Sequence, residues 1–278
     1  MFLKAELFQR TGSFKPRGVL NKLRSLSDEE RERGVIGVSA GNHAQAVAYC
    51  AAMERLDALL VMWKTASAAK VDATLGYGAQ VDLEAEGPAT VFERLEELRE
   101  QTGRAFVHPF DDPFVAAGQG TVGLEIAEDV PDMDVVVVPV GGGGLISGIA
   151  TALPDVRIVG VEPIASQALT AAIEAGKSMP VEAVSIADGL NGPFAGELAL
   201  EIARERNLEI ALVEEDEIEA AMRFLYERAK LACEPAGAAA VAALMTQKAR
   251  VDEGKTVVCV VSGGNVAAQT AAAILARP

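Results

Sequence analysis

A single lysine, Lys15, stands in the middle of a run of small and basic residues, Thr11–Gly18. The segment Pro16–Leu23 that follows predicts a helix, because proline in the first helical turn loses no hydrogen bond that the helix needs. A lysine amine becomes a nucleophile or a base when its pKa falls, through burial or through a nearby cation. Phe14 and Arg17 on either side are placed to supply both. Lys15 is therefore the candidate amine for an imine with a carbonyl ligand.

Four consecutive glycines, Gly141–Gly144, separate the apolar run Val135–Val140 from a helical pattern that begins near Leu145. Backbone amides without side chains, directed along a helix N-terminus, form a binding site for phosphate. The quartet lacks the spacing of a dinucleotide fingerprint, and no Lys and Ser or Thr follow it as in nucleoside triphosphatases. The turn predicts a site for a phosphate that is not part of a nucleotide, with a plain tight turn as the alternative.

A polar turn, Ser39–Gln45, follows the predicted strand Val35–Val38. The backbone amides of this turn and the Ser39 hydroxyl are suited to bind a small carboxylate at a helix N-terminus. The Asn42 side chain is able to form a hydrogen bond with a substituent on the ring of a ligand. The alternative is a purely structural turn in which Ser39 caps the helix. His43 is one of two histidines in the chain, and its place in a first helical turn favours a structural hydrogen bond over an acid or base role.

Two further motifs complete the set. The turn Ser262–Asn265 follows the predicted strand Val257–Val261, and a serine hydroxyl there is able to bond a heteroaromatic nitrogen without giving it a full proton. The segment Glu234–Ala238 either contributes to the site or caps a helix with a charge that favours the helix dipole. An imine-forming lysine, a phosphate cradle, a ring-substituent donor and a pyridine partner are together what pyridoxal phosphate requires.

Seven runs of the chain resemble, in order and spacing, the motifs of the serine/threonine dehydratase family of fold-type II pyridoxal phosphate enzymes, which also includes the serine racemases. The runs are Thr11–Gly18, Ser39–Gln45, Gly118–Thr121, Gly141–Leu145, Ile186–Gly189, Glu234–Ala238 and Ser262–Asn265. The resemblance covers the whole chain. It implies pyridoxal 5'-phosphate as the cofactor and α,β-elimination of L-threonine or L-serine to 2-oxobutyrate or pyruvate and ammonia.

The resemblance also implies a role for each site residue. It makes Lys15 the residue that holds the cofactor and then acts as base at the substrate Cα, with Phe14 against the ring. The implied catalytic residues are Lys15, Ser39 and Asn42. The implied cofactor-binding residues are Phe14, Lys15, Asn42, Gly141, Gly142, Gly143, Gly144, Leu145 and Ser262. The implied substrate-binding residues are Ser39, Ala40, Gly41, Asn42 and His43.

The chain departs from the family pattern at several positions. Racemases of the family carry a second serine where this chain has Ala40, which has no proton to transfer, so a dehydratase is favoured. The alternatives are a serine racemase, a hydroxyaspartate dehydratase or an inactive homologue poor in cofactor. The family's divalent-cation site resembles the region after Glu162, but Ala168 stands where a carboxylate is expected, and no metal site is predicted.

Relatives carry a segment before the position that corresponds to Met1. Biosynthetic relatives also carry a regulatory domain after the position that corresponds to Asn265. We expect a short, catabolic-like form.

Short β-branched runs alternate with helical patterns, such as Ala89–Thr102, along most of the chain. The predicted strands are Phe2–Leu7, Val35–Val38, Ala58–Met62, Gln80–Leu83, Ala105–Val107, Val135–Val138, Arg157–Val161 and Val257–Val261. This alternation predicts an α/β protein with parallel sheets, whose ligands bind at the carboxyl ends of strands. The resemblance implies a two-lobed, tryptophan synthase β-like fold, each lobe a mostly parallel twisted sheet flanked by helices. We place a large cofactor-binding domain at 1–33 and 112–278 and a small substrate-binding domain at 34–111.

Composition limits the partners and the compartment. The formal charge of −15 over 278 residues argues against nucleic acid and anionic membranes. Three cysteines in apolar stretches, Cys50, Cys233 and Cys259, predict reduced core residues of a cytoplasmic protein. Polar or glycine turns interrupt the two longest uncharged stretches, so no membrane span is predicted. We expect a small-molecule amino-acid substrate and a homo-oligomer, either a dimer or a tetramer.

Overall fold

Strands and helices alternate along the chain in the computed structural model, which describes residues 1–87 and 90–277. The strands are β1 (Phe2–Ala5), β2 (Val35–Val38), β3 (Ala58–Trp63), β4 (Gln80–Ala85), β5 (Ala105–Phe106), β6 (Val135–Pro139), β7 (Arg157–Pro163), β8 (Glu209–Val213) and β9 (Val257–Val261). The helices are α1 (Lys15–Arg24), α2 (Asp28–Arg33), α3 (Asn42–Glu54), α4 (Ala68–Gly76), α5 (Val91–Thr102), α6 (Pro113–Asp129), α7 (Gly144–Ala152), α8 (Ala168–Ala175), α9 (Glu197–Glu205), α10 (Glu215–Phe224), α11 (Pro235–Met245) and α12 (Ala268–Leu275).

The chain divides into two compact units. The first comprises Met1–Phe14 and Gln119–Pro278, and the second comprises Lys15–Gly118. Within the second unit α1 packs on α3, and Lys22 of α1 forms a 2.8 Å ion pair with Asp112. These two units are defined by packing and do not test the functional domains predicted from the sequence. The large cofactor-binding domain at 1–33 and 112–278 and the small substrate-binding domain at 34–111 therefore stay a prediction.

The first unit contains a five-stranded parallel sheet with the order β1-β9-β6-β7-β8. Every residue of β6 and β9 is buried, as expected for central parallel strands that helices cover on both faces. Strand β8 was missing from the sequence prediction. It is an edge strand in which Glu209 is exposed, and its apolar run Ile210–Val213 is too short to be distinguished from a buried helix segment by periodicity.

The second unit contains a four-stranded parallel sheet with the order β4-β3-β2-β5. Strand β2 is buried throughout, and α3 packs against both β2 and β3. Helix α5 covers the sheet through Val91, Leu95 and Leu98. The helix predicted at Ala89–Thr102 therefore begins at Val91, and its first predicted residue lies outside the described residues.

Three segments implicated by sequence follow neighbouring strands of the first unit. The Thr11–Phe14 segment comes after β1, the turn at Ser262 follows β9 directly, and the glycine turn follows β6. Because these strands are parallel neighbours in the order β1-β9-β6, their carboxyl ends lie at one edge of the sheet. This is the edge at which parallel sheets bind ligands. Among residues 1–87 and 90–277, no helix has both the length and the apolar character needed to cross a membrane.

Candidate active site

The glycine turn of the first unit leads into helix α7 without a side-chain cap. Its N-cap is Gly143, with φ 94°. Both the amide and the hydroxyl of Ser147 bond to the Gly143 carbonyl, at 3.0 and 2.8 Å. The amides of the three residues before Ser147 have no acceptor within the helix, as in any first turn. The turn therefore leads into a helix N-terminus with N–H groups that the helix does not use, which is the arrangement that binds phosphate.

Glycine is required at the N-cap of α7 for two independent reasons. The positive φ of Gly143 is in the left-handed region that side chains disfavour, and an added Cβ would overlap the side chain of Ala199. Leu145, in the first turn of α7, is 4% exposed and belongs to the hydrophobic core of this unit. Its amide, and not its side chain, is therefore the group available to a ligand.

A second element of the first unit is a short strap, defined here as Thr11–Phe14, which lies along the turn Ser262–Asn265. The Phe14 amide donates to the Ser262 carbonyl at 3.1 Å, and the Gly264 amide donates to the Gly12 carbonyl at 2.9 Å. Ser13 forms an isolated antiparallel bridge with Gly263. The strap is thus held by the turn that carries Ser262.

Ser262 itself is a buried, uncharged hydroxyl group, 4% exposed. Phe14 is half-buried and packs against the hydrophobic core of the first unit. The sequence left the role of Glu234 open between a site residue and a helix cap. Glu234 precedes α11 without a side-chain cap bond, and its carboxylate lies against Gly263, where an added Cβ would overlap it. The structure thus brings a buried carboxylate, 3% exposed, beside this turn.

Lys15 begins α1 in the second unit, and its amine donates a 2.8 Å hydrogen bond to the carbonyl of Pro109. The positive charge of Lys15 contributes to the pKa of both histidines of the chain. Burial chiefly, and then the Lys15 charge, lower the pKa of His43 to about 3. Burial also lowers the pKa of His108 to about 4, with Asp111 acting in the opposite direction. Both imidazoles are therefore neutral near pH 7.

The sequence did not single out His108 as a neighbour of Lys15. In the structure, His108 Nδ1 accepts hydrogen bonds from the amides of Phe110 and Asp111, at 3.2 and 2.8 Å. His43 instead places Nε2 2.8 Å from the carbonyl oxygen of Val107, which agrees with the structural bond expected for it. The scarcity of histidine was the available signal, because only two occur in the chain and the charge of Lys15 acts on both.

The polar turn of the second unit leads into α3, whose N-cap is Gly41. The alternative that Ser39 caps this helix is wrong, since no side chain caps it. Ser39 Oγ accepts a 3.0 Å bond from the Gly41 amide, within the turn itself. Ala40 is buried at 7% exposure, and a Cβ on Gly41 would meet nothing within 4 Å. The first turn of α3 thus follows a glycine N-cap, and the positive end of the helix dipole lies at this turn.

In the region that resembles the family's cation site, the Glu162 carboxylate accepts hydrogen bonds from the start of α8. Glu162 accepts hydrogen bonds from the amides of Leu169 and Thr170 at 2.7 and 2.9 Å and from the Thr170 hydroxyl at 2.6 Å. Burial raises the pKa of Glu162. The carboxylate thus anchors the start of α8. Within the described parts of the chain, no three His, Cys, Asp or Glu side chains form a group suited to a metal ion.

The predicted site residues fall into two groups, and each group lies within one unit. The first unit contains Phe14, Gly141, Gly142, Gly143, Gly144, Leu145 and Ser262, and the second contains Lys15, Ser39, Ala40, Gly41, Asn42 and His43. The chemistry of these groups fits pyridoxal phosphate. An uncapped glycine turn suits the phosphate, a lysine amine suits the aldehyde, and the buried hydroxyl of Ser262 suits a ring nitrogen that stays unprotonated.

Comparison with known proteins identifies the family. Residues 1–263 match the family described as pyridoxal-phosphate dependent enzyme. The L-threonine ammonia-lyase of Thermotoga maritima is 46% identical over 272 residues, covering 96% of this chain and 67% of the relative.

Solved structures show the same fold. The processed form of threonine deaminase isoform 2 from Solanum lycopersicum superposes with a TM-score of 0.93 at 35% identity, over 99% of this chain and 83% of its own. Maize serine racemase superposes with a TM-score of 0.91 at 36% identity, over 96% and 84%. The predicted fold class, family and cofactor are confirmed. The chain belongs to the family of pyridoxal-phosphate dependent enzymes.

Proposed function

We propose that this enzyme is a threonine/serine ammonia-lyase, which eliminates water across the Cα–Cβ bond of L-threonine or L-serine. The Cα proton and the β-hydroxyl leave, and the resulting enamine takes up water again. The net products are 2-oxobutyrate or pyruvate and ammonia. The relatives named for threonine, at 46% sequence identity in Thermotoga maritima and a TM-score of 0.93 in Solanum lycopersicum, support this reaction.

The single observation that carries the proposal lies in the second unit. Burial chiefly, and then the positive charge of Lys15, lower the pKa of His43, which stands in the first turn of α3. The amine therefore acts on a residue in the first turn of a helix whose N-cap is Gly41. The amine serves as a base, and the helix N-terminus serves as a site for the carboxylate of an amino acid.

Each site residue has a proposed task. Bound pyridoxal phosphate supplies an electron sink that makes the Cα proton of a joined amino acid acidic. Lys15 holds the cofactor and removes that proton, and Phe14 lies against the ring. Gly141, Gly142, Gly143, Gly144 and Leu145 bind the phosphate through their amides. Asn42 bonds the ring hydroxyl and Ser262 the ring nitrogen. Ser39, Ala40, Gly41, Asn42 and His43 receive the substrate carboxylate.

Ala40 favours elimination over racemisation. A racemase must return a proton to Cα on the face opposite the lysine, and the buried methyl group of Ala40 has none to give. The similarity to maize serine racemase keeps that activity as the alternative to be tested.

The test compares Lys15→Ala with Lys64→Ala, a change at an exposed lysine of the same unit. Each protein is incubated with pyridoxal phosphate, and the visible band of the lysine-bound cofactor, the 2-oxo acid and D-serine are measured. We expect Lys15→Ala to lose the band and the 2-oxo acid, with Lys64→Ala unchanged. A band retained in Lys15→Ala would contradict the assignment of the lysine. D-serine as the main product from L-serine would establish the racemase.

We also propose a cytoplasmic homo-oligomer. The three cysteines are free and buried, which suits a reducing compartment. Strand β1 is a sheet edge, and Phe2 and Phe8 near it are 52% and 72% exposed. Open edges and exposed aromatic side chains favour association with a second copy. Light scattering coupled to gel filtration is expected to give at least a dimer, and a stable monomer would contradict this.

A further inference from the structure

We propose that Asn265 is a positioning residue for the catalytic lysine, acting through the strap Thr11–Phe14. This inference rests on the proposed function, in which Lys15 holds the cofactor. The Nδ2 atom of Asn265 donates a 2.6 Å hydrogen bond to the carbonyl of Thr11. The two residues are 254 positions apart in the chain. Asn265 thus ties the segment that precedes the lysine to the turn that carries Ser262.

The strap needs such a tie because its backbone is strained at Thr11. This residue has φ 63° and ψ 9°, a left-handed conformation that β-branched side chains rarely adopt. Its own hydroxyl does not stabilise that conformation, since Thr11 Oγ1 is buried without a hydrogen-bond partner in the described part of the chain. Strained backbone persists only where the surroundings impose it. The bond from Asn265 to the Thr11 carbonyl is a side-chain contribution to that restraint.

Asn265 also occupies the space beside the next residue of the strap. Gly12 has φ 74°, and a Cβ there would lie 2.5 Å from Asn265 Oδ1. The amide side chain therefore contacts two successive strap residues, one by a hydrogen bond and one by close packing. Further links between the strap and the turn run through backbone atoms of Gly12, Ser13 and Phe14.

The consequence for Lys15 follows from chain connectivity. Phe14 is the last residue of the strap, and a peptide bond joins it to Lys15, so the strap fixes the backbone atom to which Lys15 is attached. Misplacement of a reacting group by about 1 Å is enough to cost roughly 100-fold in rate. Loss of the Asn265 bond is therefore expected to act on the chemistry of Lys15 through the strap.

The test uses Asn265→Asp, which keeps the shape but removes the donor, and Asn265→Ala, which removes both without adding a charge. Asn21→Asp is the matched control, because Asn21 Nδ2 likewise donates to a backbone carbonyl, that of Phe114, at 2.7 Å. The readouts on holoenzyme are kcat per lysine-bound cofactor, KM for L-threonine and the rate at which the visible band forms after pyridoxal phosphate is added.

We expect both Asn265 variants to form the band more slowly and to lose roughly 10- to 100-fold in kcat, with KM unchanged. Asn21→Asp should match the parent enzyme in all three readouts. If one Asn265 variant is insoluble, the other decides. Parental band formation and kcat in a soluble Asn265 variant would overturn the inference. Failure of the proposed function is separate, since it would appear as a retained band in Lys15→Ala.

Discussion

The Nε2 atom of His43 lies 2.8 Å from the carbonyl oxygen of Val107, which is 64 residues further along the chain. A carbonyl only accepts hydrogen bonds, so Nε2 is the nitrogen that carries the proton. Nδ1 is then a buried acceptor, and no group in the described residues donates to it. Burial and the charge of Lys15 keep this ring neutral by lowering its pKa to about 3.

This contact predicts a pH dependence of stability. The unfolded chain protonates His43 near its ordinary pKa of 6.5, whereas the folded protein does so only near 3. The unfolding free energy contributed by His43 is therefore complete above pH 6.5 and falls as the pH drops from there towards 3. Urea denaturation at a series of pH values measures this loss.

His43→Gln is the informative variant for that dependence, because its amide nitrogen retains a donor for Val107 but does not titrate. We expect a shallower decline of stability between about pH 6.5 and 5 than in the parent protein. The decline should not vanish, since the lowered pKa of His108 acts in the same direction. An identical slope in both proteins would show that His43 is not the group responsible.

Alanine substitutions at Gly143 and Gly78 distinguish two causes of destabilisation, backbone strain at positive φ and overlap of the added Cβ with a neighbouring residue. Gly143 and Gly78 both have φ 94°, but an added Cβ overlaps Ala199 at Gly143 and meets nothing within 4 Å at Gly78. Alanine should therefore destabilise the protein at both positions, and by about 1–3 kcal/mol more at Gly143. Only Gly143→Ala is expected to weaken binding of pyridoxal phosphate. Thermal denaturation and cofactor titration measure the two effects, and equal losses at both glycines would contradict the crowding at Gly143.

Substitution of Ser262 tests whether its hydroxyl faces the cofactor ring. The backbone carbonyl of Ser262 holds Phe14, and alanine leaves that bond intact. We expect Ser262→Ala to weaken cofactor binding by about 1–3 kcal/mol, the cost of an unpaired polar group. Ser262→Asp should change the visible spectrum and slow elimination by protonating the ring nitrogen. Unchanged spectra and rates in both variants would show that Ser262 points elsewhere.

Ala40→Ser tests the basis of reaction specificity. In the proposed mechanism a hydroxyl at this buried position supplies a proton donor on the face opposite Lys15, so measurable D-serine should form from L-serine alongside pyruvate. Chiral chromatography measures the enantiomers, and Ala44→Ser, at a buried alanine of α3, is the control. Elimination without any racemisation would mean that one residue does not decide the outcome.

Much of the framework was determined by the sequence alone. The strands Val35–Val38 and Val257–Val261 have the predicted bounds, because central parallel strands are continuous apolar runs. The helices predicted to begin next to Lys15 and after the glycine turn are α1 and α7, which begin at Lys15 and Gly144. Strand β8 was missed because a short apolar run such as Ile210–Val213 is not distinguishable from a buried helix segment by periodicity alone.

Other features were decided only by the tertiary structure. That Gly41 and not Ser39 is the N-cap of α3 depends on backbone geometry that the turn sequence does not specify. The position of His108 near Lys15 and the bond from Asn265 to Thr11 join residues far apart in the chain. The latter pairing exists because β1 and β9 are neighbours in the sheet. Strand order results from the packing of the whole core, and no local pattern of residues encodes it.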